Sequence, residues 1–318
     1  MKHKCRNCQS KNTVTLDRGI LAPFFLKRVY GITLNTVRES LTSRIHNPPI
    51  STKKNLASFL LKFLNSFNYG RKLLDYRGSV GVQIRVCKDC FFVGPETKYE
   101  YEVLSGLYVD YRSANYDNDR INFEPFYAQI KDYVGKSGEE ITSRLSHIDT
   151  LISQYVDVVS IENVIDWGGG EGKFIPSALQ TKNVYVLDVS NEPLVNNQYS
   201  RVDSVPQNVT FDYVQVCHVL EHVASPYEFM LDILTHINKN GYVYIEVPQD
   251  QKDETIQMFV DGNVNIIHGI HEHLNLFSAQ SLNALAMSLG LEVLIVEKKS
   301  MDFGWTQGNI VSGLFRKQ

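Results

Sequence analysis

The sequence lacks any long hydrophobic run. Of its 318 residues, 43% are hydrophobic and 21% are charged, but no segment approaches the roughly 18 uninterrupted apolar residues that a membrane-spanning helix needs. The first ten residues, MKHKCRNCQS, are polar and do not resemble the apolar core of a secretory signal. We therefore expect a globular protein of about two domains that works in the cytoplasm.

Acidic residues are scarce in the first part of the chain. Residues 1–90 contain 17 Lys and Arg but only 4 Asp and Glu, a net charge of +13. Residues 91–318 contain 15 Lys and Arg and 31 Asp and Glu, a net charge of −16, so the total of −3 conceals a reversal of sign. Such a reversal indicates two modules with different partners.

Cysteine is also scarce, and four of the five cysteines are paired. They form two C-x2-C motifs, Cys5/Cys8 and Cys87/Cys90, at the two ends of the basic module. This spacing lets two thiolates share one tetrahedral zinc ion, and two such pairs would complete a structural four-cysteine site. Ordinary reduced cysteines or a redox pair are the alternatives. The 78 residues between the two motifs exceed the usual interval of roughly 15–20 residues, so they would form an insertion.

The insertion, residues 9–86, carries most of the basic residues of the module. Its segment 55–78 has apolar residues at helical spacing, which predicts a helical subdomain with a solvated basic face. The alternative is a docking surface for something anionic, namely a membrane surface or a diphosphate-bearing substrate. Nucleic acid is less favoured as a partner, because the basic residues are scattered and form no recognised motif.

The rest of the chain alternates predicted strands and helices. Strand-like segments at 162–169, 183–190, 210–219 and 241–248 are separated or flanked by segments of helical periodicity at 139–159, 225–238 and 278–290. This order predicts a mostly parallel sheet with right-handed crossovers. Ligands of such sheets bind beyond the carboxyl ends of the strands.

A glycine-rich run, DWGGGEG, follows the first of these strands at residues 166–172 and leads into a predicted helix up to Gln180. A dinucleotide-binding fingerprint would need glycine where the chain has Lys173, and the Lys-Ser/Thr ending of a P-loop is missing as well. The carboxylate of Asp166 favours a cationic ligand over a pyrophosphate. Asp188 ends the next strand, where it can accept hydrogen bonds from ribose hydroxyls.

These segments resemble the class I S-adenosylmethionine-dependent methyltransferases. VIDWGGGEG, VYVLDVS, FDYVQVCHVLEHVASPYEFM and GYVYIEVP stand in the family's order within residues 139–318. The resemblance implies an α/β, Rossmann-like seven-stranded sheet whose antiparallel last strand is inserted beside its predecessor. It also implies that S-adenosylmethionine is the cofactor. The residues that the resemblance implies as binding or bordering it are Asp166, Gly168, Gly170, Gly172, Asp188, and Cys217 or His218. Tyr111 and Tyr116 of the linker are further candidates as part of a lid over the cofactor, with simple packing residues as the alternative.

A narrower resemblance, to sugar C-methyltransferases with an N-terminal zinc module, runs along nearly the whole chain. CRNC, CKDC, the tyrosine-bearing DYRSANY and HEHLNLFS occur in the order found in those enzymes. The resemblance implies a zinc module at 1–100, a tyrosine-rich linker or lid at 101–138 and a methyltransferase domain at 139–318. The chain departs from that pattern at Ile270, where those enzymes have tyrosine, and O-methylation and C-methylation both stay open.

Histidines are the candidate bases. Methylation of a hydroxyl or of an enolisable carbon requires removal of a proton, for which His is suited. The narrower resemblance implies that the base is the His of the pair Glu272–His273. A second metal site and purely structural histidines are the alternatives for the segment HGIHEH at 268–273. The predicted catalytic residues are His273, Glu272, His271 and His222.

These features together predict a methyltransferase with a small-molecule acceptor, above all a nucleotide- or lipid-linked sugar of surface glycan biosynthesis. The alternative acceptor is a protein or an RNA that the zinc module recognises. A degenerate domain that only binds S-adenosylmethionine or a partner is disfavoured, because the glycine run and Asp188 are intact.

Overall fold

The computed structural model describes residues 4–31, 80–111, 113–190, 192–263 and 268–318. The predicted helical segment 55–78 lies outside the described residues. The helices are α1 (Pro23–Tyr30), α2 (Tyr101–Ser105), α3 (Ala114–Phe123), α4 (Tyr127–Ile130), α5 (Gly138–Tyr155), α6 (Pro226–Leu234), α7 (Asp253–Val260) and α8 (Ala279–Ser288). The strands are β1 (Thr13–Leu21), β2 (Val80–Cys87), β3 (Val93–Pro95), β4 (Asn163–Trp167), β5 (Asn183–Leu187), β6 (Ser200–Val202), β7 (Phe211–Cys217), β8 (Ile237–Pro248), β9 (His268–Ile270), β10 (Leu291–Asp302) and β11 (Gln307–Lys317).

A seven-stranded sheet in the order β10-β11-β8-β7-β4-β5-β6 forms the larger part of the structure. Strands β4 to β8 pair in parallel, whereas β11 lies antiparallel between β8 and β10. The central parallel strands β4 and β7 are mostly buried, whereas the edge strand β6 is not, as expected of a sheet whose middle is covered on both faces. The predicted methyltransferase fold with an inserted antiparallel last strand is therefore confirmed.

Three of the predicted helices begin close to their predicted starts, each after a serine that caps the helix. The hydroxyls of Ser137, Ser225 and Ser278 accept hydrogen bonds from backbone N–H groups in the first turns of α5, α6 and α8, which satisfies donors that lack partners within the helix. Helix α6 ends at Leu234, earlier than predicted, because β8 begins three residues later.

The prediction of a helix directly after the glycine-rich run is wrong. Residues 170–174 form turns, residues 175 and 176 are irregular, and the only helical piece of the segment is a 3₁₀ turn at Ser177–Leu179. Two residues account for this: Gly172 has a φ of +75°, and Pro176 has no N–H to donate and disfavours helical geometry in the residue before it.

A second sheet, in the order β3-β2-β1-β9, contains strands from both ends of the chain. Strand β2 pairs antiparallel with β1 so that Thr13 lies opposite Cys87. The edge strand β9 pairs in parallel with Gly19–Leu21 of β1. The segment that precedes His271 is therefore held by the N-terminal sheet.

No helix among the described residues has both the length and the apolar character that a membrane crossing requires.

Candidate active site

The glycine-rich run forms a tight loop at the carboxyl end of β4. Gly168, Gly170 and Gly172 have φ values of +79°, +56° and +75°, a region that residues with a Cβ rarely adopt. A Cβ on Gly168 would also lie 2.3 Å from Cγ2 of Val219, in the loop that follows β7. The three glycines chosen from the sequence are therefore the positions where this backbone path requires glycine.

The carboxylate of Asp166 lies buried beneath this loop. Its Oδ1 accepts a hydrogen bond of 3.3 Å from Nε2 of Gln215, whereas Oδ2 has no hydrogen-bond partner among the described residues. Burial raises the pKa of Asp166 to about 7, although the hydrogen bond from Gln215 lowers it and the charge of Asp188 adds to the rise. A buried carboxylate oxygen without a partner suits a cationic ligand.

Asp188 connects the loop to the end of β5. Its Oδ2 accepts a hydrogen bond of 2.8 Å from the N–H of Gly170, and its Oδ1 accepts one of 2.7 Å from the N–H of Ser190. A carboxylate has about four acceptor positions, so these bonds leave room for ribose hydroxyls. The unpartnered oxygen of Asp166, the glycine backbone and Asp188 together fit S-adenosylmethionine, with its positive charge and its ribose.

Three side chains form a compact cluster near the carboxyl ends of β7 and β8. Ligand atoms of Glu221, His222 and His273 all lie within 4.8 Å of one another. Glu221 is completely buried, and neither of its carboxylate oxygens has a hydrogen-bond partner among the described residues. The nearest ring nitrogens are Nδ1 of His218 at 3.5 Å and Nε2 of His222 at 3.7 Å, both measured to Oε1 of Glu221. Glu221 was not among the residues predicted from the sequence, although it lies within the segment FDYVQVCHVLEHVASPYEFM.

His273 pairs with Asp250, which follows the carboxyl end of β8. Nδ1 of His273 lies 2.8 Å from Oδ2 of Asp250. Burial lowers the pKa of His273, but the charge and hydrogen bond of Asp250, with help from Glu221 and Glu272, raise it to about 10. The carboxylate at Nδ1 of His273 is therefore that of Asp250, which was not among the residues predicted from the sequence. Its place just after a sheet strand was the signal that could have identified it.

Glu272 forms an ion pair with the linker helix α3. Its Oε1 accepts a hydrogen bond of 2.9 Å from Nη1 of Arg120, and the hydroxyl of Tyr116 lies 3.5 Å from its Oε2. Burial raises the pKa of Glu272, but the charge of Arg120, with those of His222 and His273, outweighs it and lowers the pKa to about 2. Glu272 is thus an anion that holds α3 against the histidine segment.

The ring of His222 contacts two oxygen atoms through one of its nitrogens. Nδ1 of His222 lies 2.7 Å from the Tyr108 hydroxyl and 3.0 Å from the backbone carbonyl of Glu272. The ring also meets the His273 ring edge to face, with centroids 4.8 Å apart. Burial lowers the pKa of His222, opposed by the charge of Glu221. Tyr108 was not singled out from the sequence, because a tyrosine in a linker is usually a packing residue.

The remaining predicted residues lie around this cluster. Nδ1 of His271 lies 3.2 Å from Oε1 of Glu124. His218 has a φ of +54°, and its Nε2 lies 3.2 Å from Oε1 of Glu246. Cys217 is buried, and burial raises the pKa of its thiol. Tyr116 is completely buried, with its ring packed edge to face on Phe24 and Tyr111.

The four cysteines of the two C-x2-C motifs converge at the end of the N-terminal sheet. The Sγ atoms of Cys5 and Cys90 are 3.8 Å apart, those of Cys8 and Cys87 are 3.7 Å apart, and all four lie within 4.8 Å of one another. None forms a disulfide. The antiparallel pairing of β1 with β2 brings the two motifs together across the insertion.

Comparisons with known proteins agree with this architecture. A family model described as a methyltransferase domain matches residues 136–296, half of the chain. The ubiquinone biosynthesis O-methyltransferase of Rickettsia prowazekii is 27% identical over 143 residues, which are 38% of this chain and 56% of that protein. The protein of the same name from Rickettsia canadensis is 29% identical over 112 residues, 31% of this chain and 47% of that protein. The chain thus spans about half the length of the curated relatives it matches.

Solved structures of methyltransferases also align with the chain. The Burkholderia thailandensis 1,6-didemethyltoxoflavin-N1-methyltransferase, solved with S-adenosylhomocysteine, is 13% identical, with 71% of this chain and 96% of that chain covered at a TM-score of 0.43. The magnesium protoporphyrin IX methyltransferase of Synechocystis PCC 6803, with bound S-adenosylhomocysteine, is 13% identical, with coverages of 63% and 97% and a TM-score of 0.41. The match of the family model to half of the chain shows that this protein belongs to the methyltransferase domain family.

Proposed function

We propose that the protein transfers a methyl group from S-adenosylmethionine to a small-molecule acceptor. The observation that carries the proposal is the placement of two sites at the same edge of one parallel sheet. The glycine loop with Asp166 and Asp188 follows β4 and β5, and the cluster of Glu221, His222 and His273 lies beyond β7 and β8. Neighbouring strand ends of such a sheet are where a cofactor and its reaction partner meet.

On the cofactor side, Asp166 and the glycine loop would hold the methionine end and Asp188 the ribose. S-Adenosylmethionine, when bound, supplies an activated methyl group on a cationic sulfur. The chain's own residues then have to position the acceptor atom in line and exclude competing nucleophiles. The unpartnered oxygen of Asp166 supports this assignment, because a buried carboxylate is stabilised by a nearby positive charge.

On the acceptor side, we propose that the acceptor loses its proton at the cluster of Glu221, His222 and His273. The cluster supplies one carboxylate and two imidazoles, which are the groups that proton removal from a hydroxyl or an acidic carbon requires. His273 is the base predicted from the sequence, but its pKa of about 10 keeps the imidazole protonated at neutral pH. We therefore propose that His222, whose pKa is lowered by burial, is the imidazole that accepts the proton. The matching relatives are named for O-methylation, which favours a hydroxyl oxygen as acceptor atom.

The finer acceptor prediction, a nucleotide- or lipid-linked sugar, rests on the order of the sequence motifs alone. The same holds for the division into segments 1–100, 101–138 and 139–318. An anionic partner of the basic module is a further prediction on residues 9–86, most of which lie outside the described residues.

We also propose that the four cysteines bind one structural zinc ion. Their sulfur atoms lie close enough to share an ion, and backbone and side-chain N–H groups of Asn7 point at Cys5 and Cys90 at N–S distances of 3.4 and 3.7 Å. Amide donors of this kind stabilise thiolate charge. Metal analysis of the purified protein should give about one zinc per chain, and less than about half an equivalent would count against the site.

The cofactor assignment is tested by calorimetric titration with S-adenosylhomocysteine. The wild-type protein should bind it, and Asp188→Ala should weaken binding at least tenfold, because the variant loses the carboxylate that holds the loop and the ribose. Asp232→Ala, on the exposed face of α6, is the matched control and should bind normally. Absence of binding by the folded wild-type protein would overturn the assignment.

A further inference from the structure

We infer that Glu221, His222 and His273 form a binding site for a divalent transition-metal ion with open positions for the acceptor. The inference deepens the proposed function, on which it rests, by assigning a ligand to the acceptor side of the site. With the ion bound, His222 and His273 would act as ligands and not as bases, and the ion would make a coordinated acceptor hydroxyl easier to deprotonate. It concerns a second metal site, separate in position and in chemistry from the four cysteines.

The first argument is the state of the Glu221 carboxylate. It is completely buried and both of its oxygens lack a hydrogen-bond partner among the described residues. Burying an ionised carboxylate without partners costs several kcal/mol, on the order of the effective penalty for buried ions. The only basic side chains within 4 Å of it, among the residues that the structure describes, are His218 and His222. The carboxylate therefore needs a further positive group.

The second argument is the orientation of the two imidazole rings. His273 uses Nδ1 for Asp250, and His222 uses Nδ1 for the Glu272 carbonyl and the Tyr108 hydroxyl. Each ring therefore keeps Nε2 for the cluster. A histidine that binds a metal typically donates its other N–H to a carboxylate or a backbone carbonyl, and both kinds of outer partner are present.

The third argument is the chemistry of the donor set. Two imidazoles and one carboxylate suit a first-row transition ion better than Mg²⁺, which prefers oxygen ligands alone. The donor atoms lie within 4.8 Å of one another. Bonds of about 2.0–2.2 Å to a central ion would bring them to roughly 3.0–3.6 Å from one another, so the side chains would close around the ion by about 1 Å or somewhat more. Three protein ligands leave coordination positions open, as in metal sites that bind a substrate oxygen.

The purified protein is tested with Mn²⁺, whose free form gives a strong electron paramagnetic resonance signal. Thiolates are poor ligands for Mn²⁺, so the four-cysteine site does not compete for the ion. Titration should show one bound Mn²⁺ per chain, and the bound ion should enhance the relaxation of solvent water protons, because open positions exchange water.

Variants locate the bound ion. Glu221→Gln should raise the Kd for Mn²⁺ at least tenfold, and Asp250→Asn should raise it about 10–100-fold as an outer partner of a ligand. Glu292→Gln, on the far edge strand β10 and paired with Arg316, is the matched control and should bind like the wild type. Circular dichroism confirms that each variant is folded, and Asp250→Asn keeps the test valid should Glu221→Gln fail to fold.

Two results would overturn the inference: no Mn²⁺ binding by the folded wild-type protein, or equal affinity in wild type, Glu221→Gln and Asp250→Asn. Binding of S-adenosylhomocysteine, measured on the same samples, separates this failure from failure of the proposed function. Normal binding of S-adenosylhomocysteine without Mn²⁺ binding would reject the metal site alone.

Discussion

Three buried carboxylates at the edge of the large sheet differ in how their charge is compensated. Glu246 is paired with Arg144, and although burial raises its pKa, the charge of Arg144 outweighs this and lowers it to about 2. Asp166 has one hydrogen-bond donor, and Glu221 has none among the described residues. The two undercompensated carboxylates lie where the cofactor and the acceptor are proposed to bind. A raised pKa in a buried group such as Asp166 is typical of functional sites.

The raised pKa of Asp166 makes cofactor binding dependent on pH. In the ligand-free protein the group is largely protonated below a pKa of about 7, whereas a cationic ligand favours the ionised form. We therefore expect S-adenosylmethionine to bind about tenfold more weakly at pH 6 than at pH 8, with proton release on binding near pH 6.5. Calorimetry in two buffers of different ionisation enthalpy measures both quantities.

The same group also affects stability, with a defined sign. Its folded pKa exceeds the unfolded value of 3.8, so the contribution of Asp166 to the free energy of unfolding falls as pH rises from about 4 to about 7.

Asp166→Asn should remove the pH dependence of S-adenosylmethionine binding. A variant that kept the wild-type dependence would show that another group titrates.

At the scale of elements, a buried ion pair joins α5 to β8. Nε of Arg144 lies 2.6 Å from Oε1 of Glu246, and its Nη1 donates a hydrogen bond of 3.0 Å to Glu140 on the same helix. The guanidinium also lies over the ring of Phe174, 3.6 Å from its centroid. These contacts fix α5 against the strand whose end leads to Asp250.

Removal of the Arg144 charge should destabilise the fold strongly. Arg144→Met leaves Glu246 buried without its partner, so urea denaturation should show a loss of about 3–5 kcal/mol in the free energy of unfolding. The double variant Arg144→Met/Glu246→Gln should recover part of this loss. Arg316→Met, in an exposed pair with Glu292, is the control and should leave the free energy of unfolding nearly unchanged, because solvent screens the pair. Equal effects of the two Arg variants would contradict the expectation.

At the scale of the whole molecule, the strands of the N-terminal sheet connect the cysteine cluster to the histidine segment at 268–273. Cys87 ends β2, β2 pairs with β1, and β1 pairs with β9 just before His271. A bridge between Val93 and Leu276 joins the other end of the same segment to β3. Asn7, between Cys5 and Cys8, donates a hydrogen bond of 2.7 Å to the carbonyl of Ser281 on α8. The N-terminal sheet therefore holds the histidine segment on both sides.

Loss of the metal proposed at the cysteines should loosen this segment. Hydrogen exchange should be faster in Cys87→Ser than in the wild-type protein at two amides. They are the amide of Leu276, which donates to Val93, and that of Ala22, which donates to Ile270. Amides that pair β10 with β11 are the internal control and should exchange at unchanged rates. Uniformly faster exchange across the chain would indicate general unfolding instead.

Local patterns in the sequence were sufficient for the alternation of strands and helices, the glycine loop and the two cysteine motifs, whereas the inserted antiparallel last strand was implied only by the family resemblance. Apolar periodicity, positive-φ glycines and C-x2-C spacing act over a few residues, so they can be read without a structure. The same local reasoning failed for the helix after the loop, where Gly172 and Pro176 outweigh the apolar pattern.

Only the tertiary structure decided which side chains meet. Asp250 reaches His273 across 23 residues and Tyr108 reaches His222 across 114, because adjacent strand ends and the linker bring them to one place. The unpartnered state of Glu221 and the joining of β9 to the N-terminal sheet depend in the same way on contacts between distant segments. Such contacts leave no periodic signal in the sequence, since strand register and packing, rather than spacing along the chain, determine them.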